Sequence, residues 1–340
     1  MKLSFILPTY NMEKYLSRCL ESILCQDIDQ SLYEIIVIND ESTDNSLKIA
    51  KEYASKNKNI IVHNKKNAGL GAARNTGIKL AKGEYIFFLD TDDYIINNCL
   101  SKLLSVAQSN NFDILAFISS MTTADDLNTP LTKSHIDEKI AIDSGINYIA
   151  NNNYRNEVWW YIVNKAFLID TSILFDEGQW LEDALFTAKI FLEAKNVGHI
   201  NFDIHRYRIR QDSAVRNKNA KHYKKMLLDQ EKVISDFSNF INNLPVSASY
   251  NEKYMRRIKN RQQSFVFFYI IRFFNTNLTF SILKEKLSHF KEISAYPLNQ
   301  FYGEEYNGKK YKILTKIFNS QKLLFLSFVA FCLFKKTIRY

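Results

Sequence analysis

Residues 85–93 read Tyr-Ile-Phe-Phe-Leu-Asp-Thr-Asp-Asp, an apolar run followed at once by three carboxylates. The aromatic and β-branched residues of the run predict a buried strand. Bringing Asp90, Asp92 and Asp93 together is costly unless a cation neutralises them. Open α/β sheets bind their ligands beyond the carboxyl ends of the strands. The cluster is therefore typical of a site for a hard divalent ion that in turn holds phosphate oxygens.

Strands and helices alternate on both sides of this stretch. Four further apolar runs predict strands: Leu3–Leu7, Ile35–Ile38, Ile60–His63 and Ile114–Ile118. Apolar periodicity predicts helices over residues 12–24, 42–53, 70–81 and 97–107, the second with Ser42, Thr43 and Asp44 as candidate caps. This order predicts an α/β fold with a doubly wound, mostly parallel sheet.

The chain changes character after residue 120. A hairpin around Lys139–Ile142 and a short helix from Ser144 are expected, then a helix from Leu181 to Ala194. Short strands are predicted at Val197–Phe202 and His205–Ile209. Beyond residue 218 only helices are predicted, over residues 220–242, 250–275 and 279–290. We expect a first domain of residues 1–215, with a nucleotide-binding part at 1–115 and an acceptor part at 116–215, and a basic helical region at 216–340.

Composition and charge narrow the class of protein. The 340 residues are 46% hydrophobic and 24% charged, which is typical of a globular protein. Residues 1–203 carry a formal charge of −8 and residues 204–340 carry +17. The basic half suits a diphosphate, acidic lipid or another polyanion, although no nucleic-acid recognition motif is present. The four cysteines have neither metal-ligand nor disulfide spacing, and no signal peptide opens the chain, so a cytoplasmic protein is expected.

The segment Leu323–Phe334 is apolar apart from one serine and is flanked by lysines. As a helix it would span roughly 18 Å, against about 30 Å for the hydrocarbon core of a bilayer. It is therefore too short to cross a membrane. The tail over residues 315–340 is expected to contact an anionic membrane peripherally, at the inner face of the cell membrane, or else to pack on the fold.

Three further loops follow predicted strands and carry residues suited to a nucleotide. Pro8-Thr9-Tyr10-Asn11 offers an aromatic ring, and Asn39-Asp40-Glu41-Ser42 offers a carboxylate that either accepts a base N–H or caps the next helix. Residues 67–75 read Asn-Ala-Gly-Leu-Gly-Ala-Ala-Arg-Asn, in which small residues allow close backbone approach to phosphate and Arg74 adds a positive charge. This loop lacks the Gly-Lys-Ser/Thr ending of a P-loop and the glycine spacing of a dinucleotide fingerprint.

Taken in order, these loops and the Asp-Thr-Asp-Asp cluster resemble the family 2 glycosyltransferases of the GT-A fold. The resemblance covers about residues 1–115 strongly and extends in patches to about residue 215. Two departures stand out: Glu41 replaces a glycine usual in the family, and Val163-Asn164-Lys165 replaces its Trp-Asn-Lys segment. The implied fold is a GT-A sheet, Rossmann-like and mostly parallel, with a helical C-terminal region.

The resemblance implies a role for each loop. Pro8 and Tyr10 would line the base pocket, Asp40 would bind the uracil and Arg74 would approach the diphosphate. Asp92 and Asp93, with Asp90 beside them, would hold the ribose and a Mn²⁺ or Mg²⁺ ion. Tyr207-Arg208-Ile209-Arg210-Gln211-Asp212-Ser213 is similar to another family segment, in which Arg210 and Ser213 would close over the leaving diphosphate.

The segment Glu177-Gly178-Gln179-Trp180-Leu181-Glu182-Asp183 resembles the acidic pair on the acceptor side of the family. An inverting transferase needs one general base to deprotonate the attacking hydroxyl. Asp183 is the first candidate for that base and Glu182 the second. Two adjacent carboxylates raise each other's pKa, which helps either of them to act as a base. The structural alternative is that Asp183 only caps the helix that follows.

Together these features predict an inverting, metal-dependent glycosyltransferase. It would move a sugar from a nucleotide-sugar donor, most simply a UDP-sugar, to a glycan or lipid-linked glycan in polysaccharide synthesis. The alternatives are a non-catalytic nucleotide-sugar-binding protein of an assembly complex, a sugar-nucleotide hydrolase or nucleotidyltransferase on a similar sheet, and a polyanion-binding protein. The Asp183 segment argues against the hydrolase, and only the basic half favours polyanion binding.

Overall fold

The computed structural model describes residues 1–131, 140–210, 220–249, 251–299, 301, 306 and 308–337. The chain divides into two units, one made of residues 1–148 and 155–213 and the other of residues 149–154 and 214–340. The first unit contains the sheet with its helices. The second contains the helices that follow the sheet.

The first unit is built on one eight-stranded sheet in the order β3-β2-β1-β4-β7-β6-β8-β5. Its strands are β1 (Leu3–Thr9), β2 (Tyr33–Asp40), β3 (Ile60–Lys65), β4 (Tyr85–Phe88), β5 (Tyr94–Ile95), β6 (Ile114–Thr122), β7 (Tyr161–Asn164) and β8 (Val197–Arg208). Strands β1 to β4 are mutually parallel, and β6 is parallel to β8. Strand β7 is antiparallel to both β4 and β6, and β5 is antiparallel to β8. The sheet is thus mixed, with the expected parallel order in its N-terminal half.

The helices of this unit follow the predicted order, except that the sequence did not predict a helix at Lys165–Thr171. They are α1 (Leu16–Leu24), α2 (Ser46–Lys56), α3 (Leu70–Leu80), α4 (Leu100–Ser109), α5 (Gly145–Asn151, whose last residues belong to the second unit), α6 (Lys165–Thr171) and α7 (Glu182–Glu193). Helix α2 begins four residues later than predicted, because the Asp44 carboxylate accepts a hydrogen bond from the backbone N–H of Ser46 at 2.9 Å. Helix α1 also begins later, at Leu16, after Asn11 with a φ of 54°.

Strands β1 and β2 are buried along their whole length, as expected for parallel strands covered on both faces. The rings of Phe5 and Phe87 stack at 5.2 Å between β1 and β4, and Phe117 of β6 lies 5.3 Å from Phe87. The core of the unit therefore runs through the centre of the sheet. It fixes the carboxyl ends of β1 to β4 at one edge, where the loops of interest begin.

Two predictions for residues 139–209 need correction. The predicted pair of short strands after residue 197 is one strand, β8, because the buried carboxylate of Asp203 is satisfied within the strand layer. Its Oδ1 accepts hydrogen bonds from Nη1 of Arg206 at 2.7 Å and from Oγ of Ser120 at 2.9 Å. Of the predicted hairpin, Lys139 lies outside the described residues and Ile140–Ile142 form no strand; Asp143 makes an isolated bridge to Val197. Strands β5 and β7 were not predicted because two and four residues carry little periodicity.

The second unit is helical, as predicted for the C-terminal region. Its helices are α8 (Ala220–Asn242), α9 (Val246–Ser249), α10 (Glu252–Phe274), α11 (Phe280–Glu292), α12 (Lys309–Asn319) and α13 (Gln321–Thr337). Helix α10 lies at the centre, and its Phe267 stacks on Phe301 at 4.1 Å and contacts Phe318 at 5.1 Å. Aromatic packing thus supplies much of the core of this unit.

Candidate active site

The three aspartates after β4 lie together beyond the carboxyl end of the sheet. One carboxylate oxygen from each of Asp90, Asp92 and Asp93 lies within 4.8 Å of the others. Asp93 is almost fully buried, and its Oδ1 accepts a hydrogen bond from the backbone N–H of Arg208 at 2.8 Å. Its Oδ2 is buried and accepts no hydrogen bond within the described residues. The cluster therefore contains an oxygen with unused acceptor capacity.

The cluster carries more negative charge than its surroundings balance. Burial, then Asp93 and Asp90, raises the pKa of Asp92 to about 7. Burial, then Asp90, raises the pKa of Asp93 well above its usual value. Arg210 opposes both shifts, and its Nε lies 2.6 Å from Oδ2 of Asp92. A divalent cation among these oxygens would relieve the repulsion, and three carboxylates are ligands that Mg²⁺ and Mn²⁺ accept, so the residues fit the ion.

A histidine lies directly behind the cluster. Nε2 of His205 is 3.2 Å from Oδ2 of Asp93, and its Nδ1 is 2.7 Å from Oγ of Ser119. The ring stacks on Trp159 with centroids 4.6 Å apart. Burial lowers the pKa of His205 to about 3, which outweighs the attraction of the aspartates and keeps the imidazole neutral. The neutral ring of His205 therefore lies beside Asp93 and adds no positive charge to the cluster.

Arg74 connects the aspartate cluster to the acidic pair of α7. Its Nη2 donates to Oδ1 of Asp90 at 2.9 Å, and its Nη1 donates to Oε1 of Glu182 at 2.7 Å. The guanidinium is almost fully buried. Burial lowers the pKa of Arg74, but Asp90 and then Glu182 raise it above its usual value, so the group stays charged. The residue predicted to approach a diphosphate thus lies as a bridge between two carboxylates.

Glu182 and Asp183 form the first turn of α7, where the helix dipole favours negative charge. Leu181 before them has a φ of 68°, a left-handed conformation that turns the chain sharply into the helix. Glu182 is buried against Arg74, whereas Asp183 is partly exposed. Among the described residues, none donates a hydrogen bond to the Asp183 carboxylate. Burial, then Glu182, raises the pKa of Asp183 well above its usual value.

The segment before α7 is fixed to helix α3 by a side-chain amide. Asn75 donates to the carbonyl of Phe175 and accepts from its backbone N–H, both at 2.9 Å, and it also donates to Glu177 at 3.0 Å. Gly71 lies so close that an added Cβ would be 2.3 Å from the carbonyl oxygen of Asp176. The first turns of α3 therefore position the acidic pair as well as Arg74.

Asp40 ends β2 and is enclosed by the loop that follows β3. Its carboxylate accepts hydrogen bonds from the backbone N–H of Gly69 at 2.9 Å and of Ala68 at 3.1 Å, and from Nζ of Lys65 at 2.9 Å. Asp40 therefore anchors the loop between β3 and α3 in this conformation. The position of Lys65 follows from the parallel register of β2 and β3, which places Lys65 beside Asp40.

Glu41, at the position where the family usually has a glycine, adopts a left-handed backbone conformation. Its φ is 63°, in the left-handed region that non-glycine residues rarely occupy. Its Oε2 accepts a hydrogen bond from the backbone N–H of Asn67 at 3.1 Å. The side chain of Glu41 therefore ties this turn to the loop that follows β3.

The remaining predicted residues lie around the same edge of the sheet. Pro8 is buried near the end of β1, and its carbonyl accepts a hydrogen bond from Oγ1 of Thr91 at 3.1 Å. Tyr10 is 47% exposed, so its ring is available to a ligand. The guanidinium of Arg210 lies 4.9 Å from the ring centre of Tyr15. Ser213 lies outside the described residues.

Sequence reasoning did not identify several residues that shape this site. They are Tyr15, Lys65, Asn75, Trp159 and the backbone of Arg208. Of these, Lys65 alone could have been predicted from the sequence, because two parallel strands that end together place their last residues side by side. The others act through contacts between segments that are distant in sequence.

A parallel strand edge that carries an aspartate cluster, beside an antiparallel extension of the sheet, defines the GT-A fold predicted above. The chain is similar to the crystal structure of TarS 1–349 of S. aureus in complex with UDP-GlcNAc, with a TM-score of 0.67 and 24% identity over 94% of this chain and 88% of that one. The sequence model of glycosyl transferase family 2 matches residues 4–175, about half of the chain. The chain belongs to glycosyl transferase family 2.

Curated relatives agree with this assignment. The uncharacterized glycosyltransferase EpsJ of Bacillus subtilis (strain 168) is 33% identical over 215 residues, which cover 60% of each chain. The poly(ribitol-phosphate) beta-N-acetylglucosaminyltransferase TarS of Staphylococcus aureus (strain Mu50) is 30% identical over 214 residues, 62% of this chain and 36% of TarS. The chain thus spans less than two thirds of the length of these relatives.

Proposed function

We propose that the protein is an inverting glycosyltransferase that moves a sugar from a UDP-sugar to a hydroxyl group of a glycan or lipid-linked glycan. The observation that carries the proposal is the pairing of two acidic sites through Arg74, an aspartate cluster on one side and the pair Glu182–Asp183 on the other. A transferase needs both, one for the donor diphosphate and one for the acceptor hydroxyl. A protein that only binds nucleotide-sugars has no need of the second.

The donor would lie over the carboxyl ends of β1, β2 and β4. The exposed ring of Tyr10 would line the base pocket together with Pro8, and the Asp40 carboxylate would recognise the uracil N–H. For Asp40 to do so, the loop around Gly69 must release or share that carboxylate. UDP is favoured because the similar TarS structure contains UDP-GlcNAc. A more distant structural neighbour at 12% identity, the mannosyltransferase PcManGT of Pyrobaculum calidifontis, contains GDP-Man and Mn²⁺.

Asp90, Asp92 and Asp93 would hold a Mn²⁺ or Mg²⁺ ion. When bound, the ion supplies positive charge against the diphosphate that departs. Arg210, which lies against Asp92, carries a further positive charge toward the same group and would follow the diphosphate as it leaves, with Ser213 beside it. Arg74 donates a hydrogen bond to Asp90 and another to Glu182, and so places one positive charge between the two carboxylates.

Asp183 would act as the general base. Its carboxylate accepts the proton of the acceptor hydroxyl while that oxygen attacks the anomeric carbon of the donor. The bond between the anomeric carbon and the diphosphate oxygen breaks as the new glycosidic bond forms, so the configuration inverts. Glu182 is held by Arg74 and therefore positions the turn rather than taking the proton.

The acceptor would belong to a surface polysaccharide or teichoic-acid-like polymer. Relatives include TarS and the minor teichoic acid biosynthesis protein GgaB of Bacillus subtilis (strain 168), which is 33% identical over 226 residues. The formal charge of +17 over residues 204–340 suits work at the inner, anionic face of a cell membrane.

Calorimetric titration with UDP and with GDP tests the donor site, each with Mn²⁺ and with EDTA. The variants are Asp93→Asn and, as a matched control, Asp170→Asn on the exposed face of α6. We expect UDP to bind more tightly than GDP and to need Mn²⁺ for binding. Of the two variants, only Asp93→Asn should lose this binding. Equal binding of both variants, or preference for GDP, would overturn the donor assignment.

A further inference from the structure

Helix α13 carries large apolar side chains on its buried face and also on its exposed face. Leu324 and Phe328 are buried, as expected for the inner face. Six other large apolar side chains of α13 are more than a third exposed: Leu323, Phe325, Leu326, Val329, Leu333 and Phe334. A helix that is apolar all round is normally buried in a core or in a lipid phase.

The inner face of α13 accounts for its attachment to the second unit. The ring of Phe328 lies 5.3 Å from Phe274 and 5.7 Å from Phe280, and Phe331 lies 5.7 Å from Phe274. Phe325, although 47% exposed, also contacts Phe280, with ring centres 5.1 Å apart. Leu326 and Phe334 are more than half exposed and leave an apolar surface on the helix.

The charges around this surface select an anionic partner. Residues 306–340 contain eight Lys and Arg and no Asp or Glu. Lys309, Lys310, Lys316 and Lys322 are exposed. In a symmetric dimer, each copy would present this same positive segment to the other, which is unfavourable. Anionic headgroups complement the lysines, and acyl chains complement the leucine and phenylalanine side chains.

The dimensions favour a helix that lies in the bilayer surface. Within the described residues, no single helix has the length and apolar content needed to cross a membrane; only α12 and α13 taken together meet that test, and they are bent by 107°. The 17 residues of α13 would extend about 26 Å, less than the ~30 Å hydrocarbon core. An apolar helix bordered by lysines is typical of an interfacial anchor.

We propose that the outer face of α13 is a membrane-binding surface, which inserts its exposed leucine and phenylalanine side chains between the headgroups of anionic lipids. The lysines of α12 and of the start of α13 contact the lipid phosphates. This surface is formed by the second unit alone and does not depend on the donor chemistry proposed above. A lipid-linked acceptor would be concentrated near the enzyme by such binding.

Sedimentation of the full chain with vesicles tests the proposal. The vesicles are phosphatidylcholine alone, or phosphatidylcholine containing about one-third phosphatidylglycerol. The variant Leu326→Glu/Leu333→Glu removes the apolar surface, and Leu228→Glu/Val246→Glu makes the same change at exposed positions of α8 and α9. Binding to the anionic vesicles should fall at least about tenfold in the first variant and stay unchanged in the second.

A second variant separates the charges from the apolar surface. Changing Lys309, Lys310, Lys316 and Lys322 to Gln should weaken binding to the anionic vesicles by about fivefold per lysine. Light scattering in solution reports association between copies of the chain. Two results would overturn the proposal. One is wild-type protein that binds neither kind of vesicle; the other is a wild-type dimer that the Leu326→Glu/Leu333→Glu variant dissociates. UDP binding is measured separately, so failure here does not bear on the donor site.

Discussion

Arg74 and Glu182 form a buried ion pair that joins helix α3 to the first turn of α7, with Nη1 and Oε1 only 2.7 Å apart. Each side chain is 2% exposed. The same guanidinium also holds Asp90 of the aspartate cluster. A single buried cation thus fixes the spacing between the residues proposed to bind the donor and those proposed to activate the acceptor.

Replacing Arg74 tests how much the stability of the fold depends on this ion pair. Arg74→Met leaves Glu182 buried without a counter-charge, so the free energy of unfolding should fall by about 3–5 kcal/mol. Arg74→Met/Glu182→Met replaces both charges by apolar groups and should recover most of that loss. Urea unfolding measures both variants. The control is Lys225→Met, which removes an exposed ion pair with Asp229 and should cost about 0.5 kcal/mol or less. Losses that simply add in the double variant would contradict the coupling.

Asp183 and Glu182 should differ sharply in their kinetic effects. Asp183→Asn should lower kcat by about 10²–10⁴ without weakening donor binding, because it removes only the proton acceptor. Glu182→Gln keeps a hydrogen-bond acceptor for Arg74 and should lower kcat much less. Steady-state rates and donor titration on both variants decide between them. A greater loss of turnover in Glu182→Gln would make Glu182 the base.

The pH dependence should follow the raised pKa of Asp183. Because the base must be ionised, kcat/KM should fall as the pH drops, with a midpoint above the usual range of an aspartate. Glu182 contributes to the rise, so Glu182→Gln should move this acidic limb to lower pH. Glu193→Gln at the exposed end of the same helix is the matched control and should leave the limb in place. An acidic limb at the same pH in all three proteins would rule out this coupling.

Glu41 tests whether the turn after β2 stores backbone strain. Glu41→Gly removes the penalty of a φ of 63° but also the hydrogen bond to Asn67, so stability should change by less than about 1 kcal/mol. Glu41→Val keeps the strain, adds a branched Cβ and should cost about 1–2 kcal/mol. Thermal unfolding compares the two variants. Equal stability of Gly and Val at this position would show that the turn rearranges.

The sequence predicted the parallel half of the sheet and the loops that follow its strands, because β1 to β4 contain apolar runs that end in polar clusters. It failed at β8, where the buried Asp203 resembles a strand break until its partners Arg206 and Ser120 are known. It also could not predict the partners of Arg74, because Glu182 lies 108 positions away. Local patterns locate the residues of the site, whereas the pairing between distant segments depends on the folded chain.

Metal-dependent release of UDP from a UDP-sugar is the most direct test of the central claim. Release is measured for the wild type, Asp93→Asn and Asp170→Asn, with Mn²⁺ and with EDTA. We predict that UDP is released only with Mn²⁺, that release is abolished in Asp93→Asn, and that it is unchanged in Asp170→Asn. Release that persists in EDTA or in Asp93→Asn, or no release from any UDP-sugar, would contradict it.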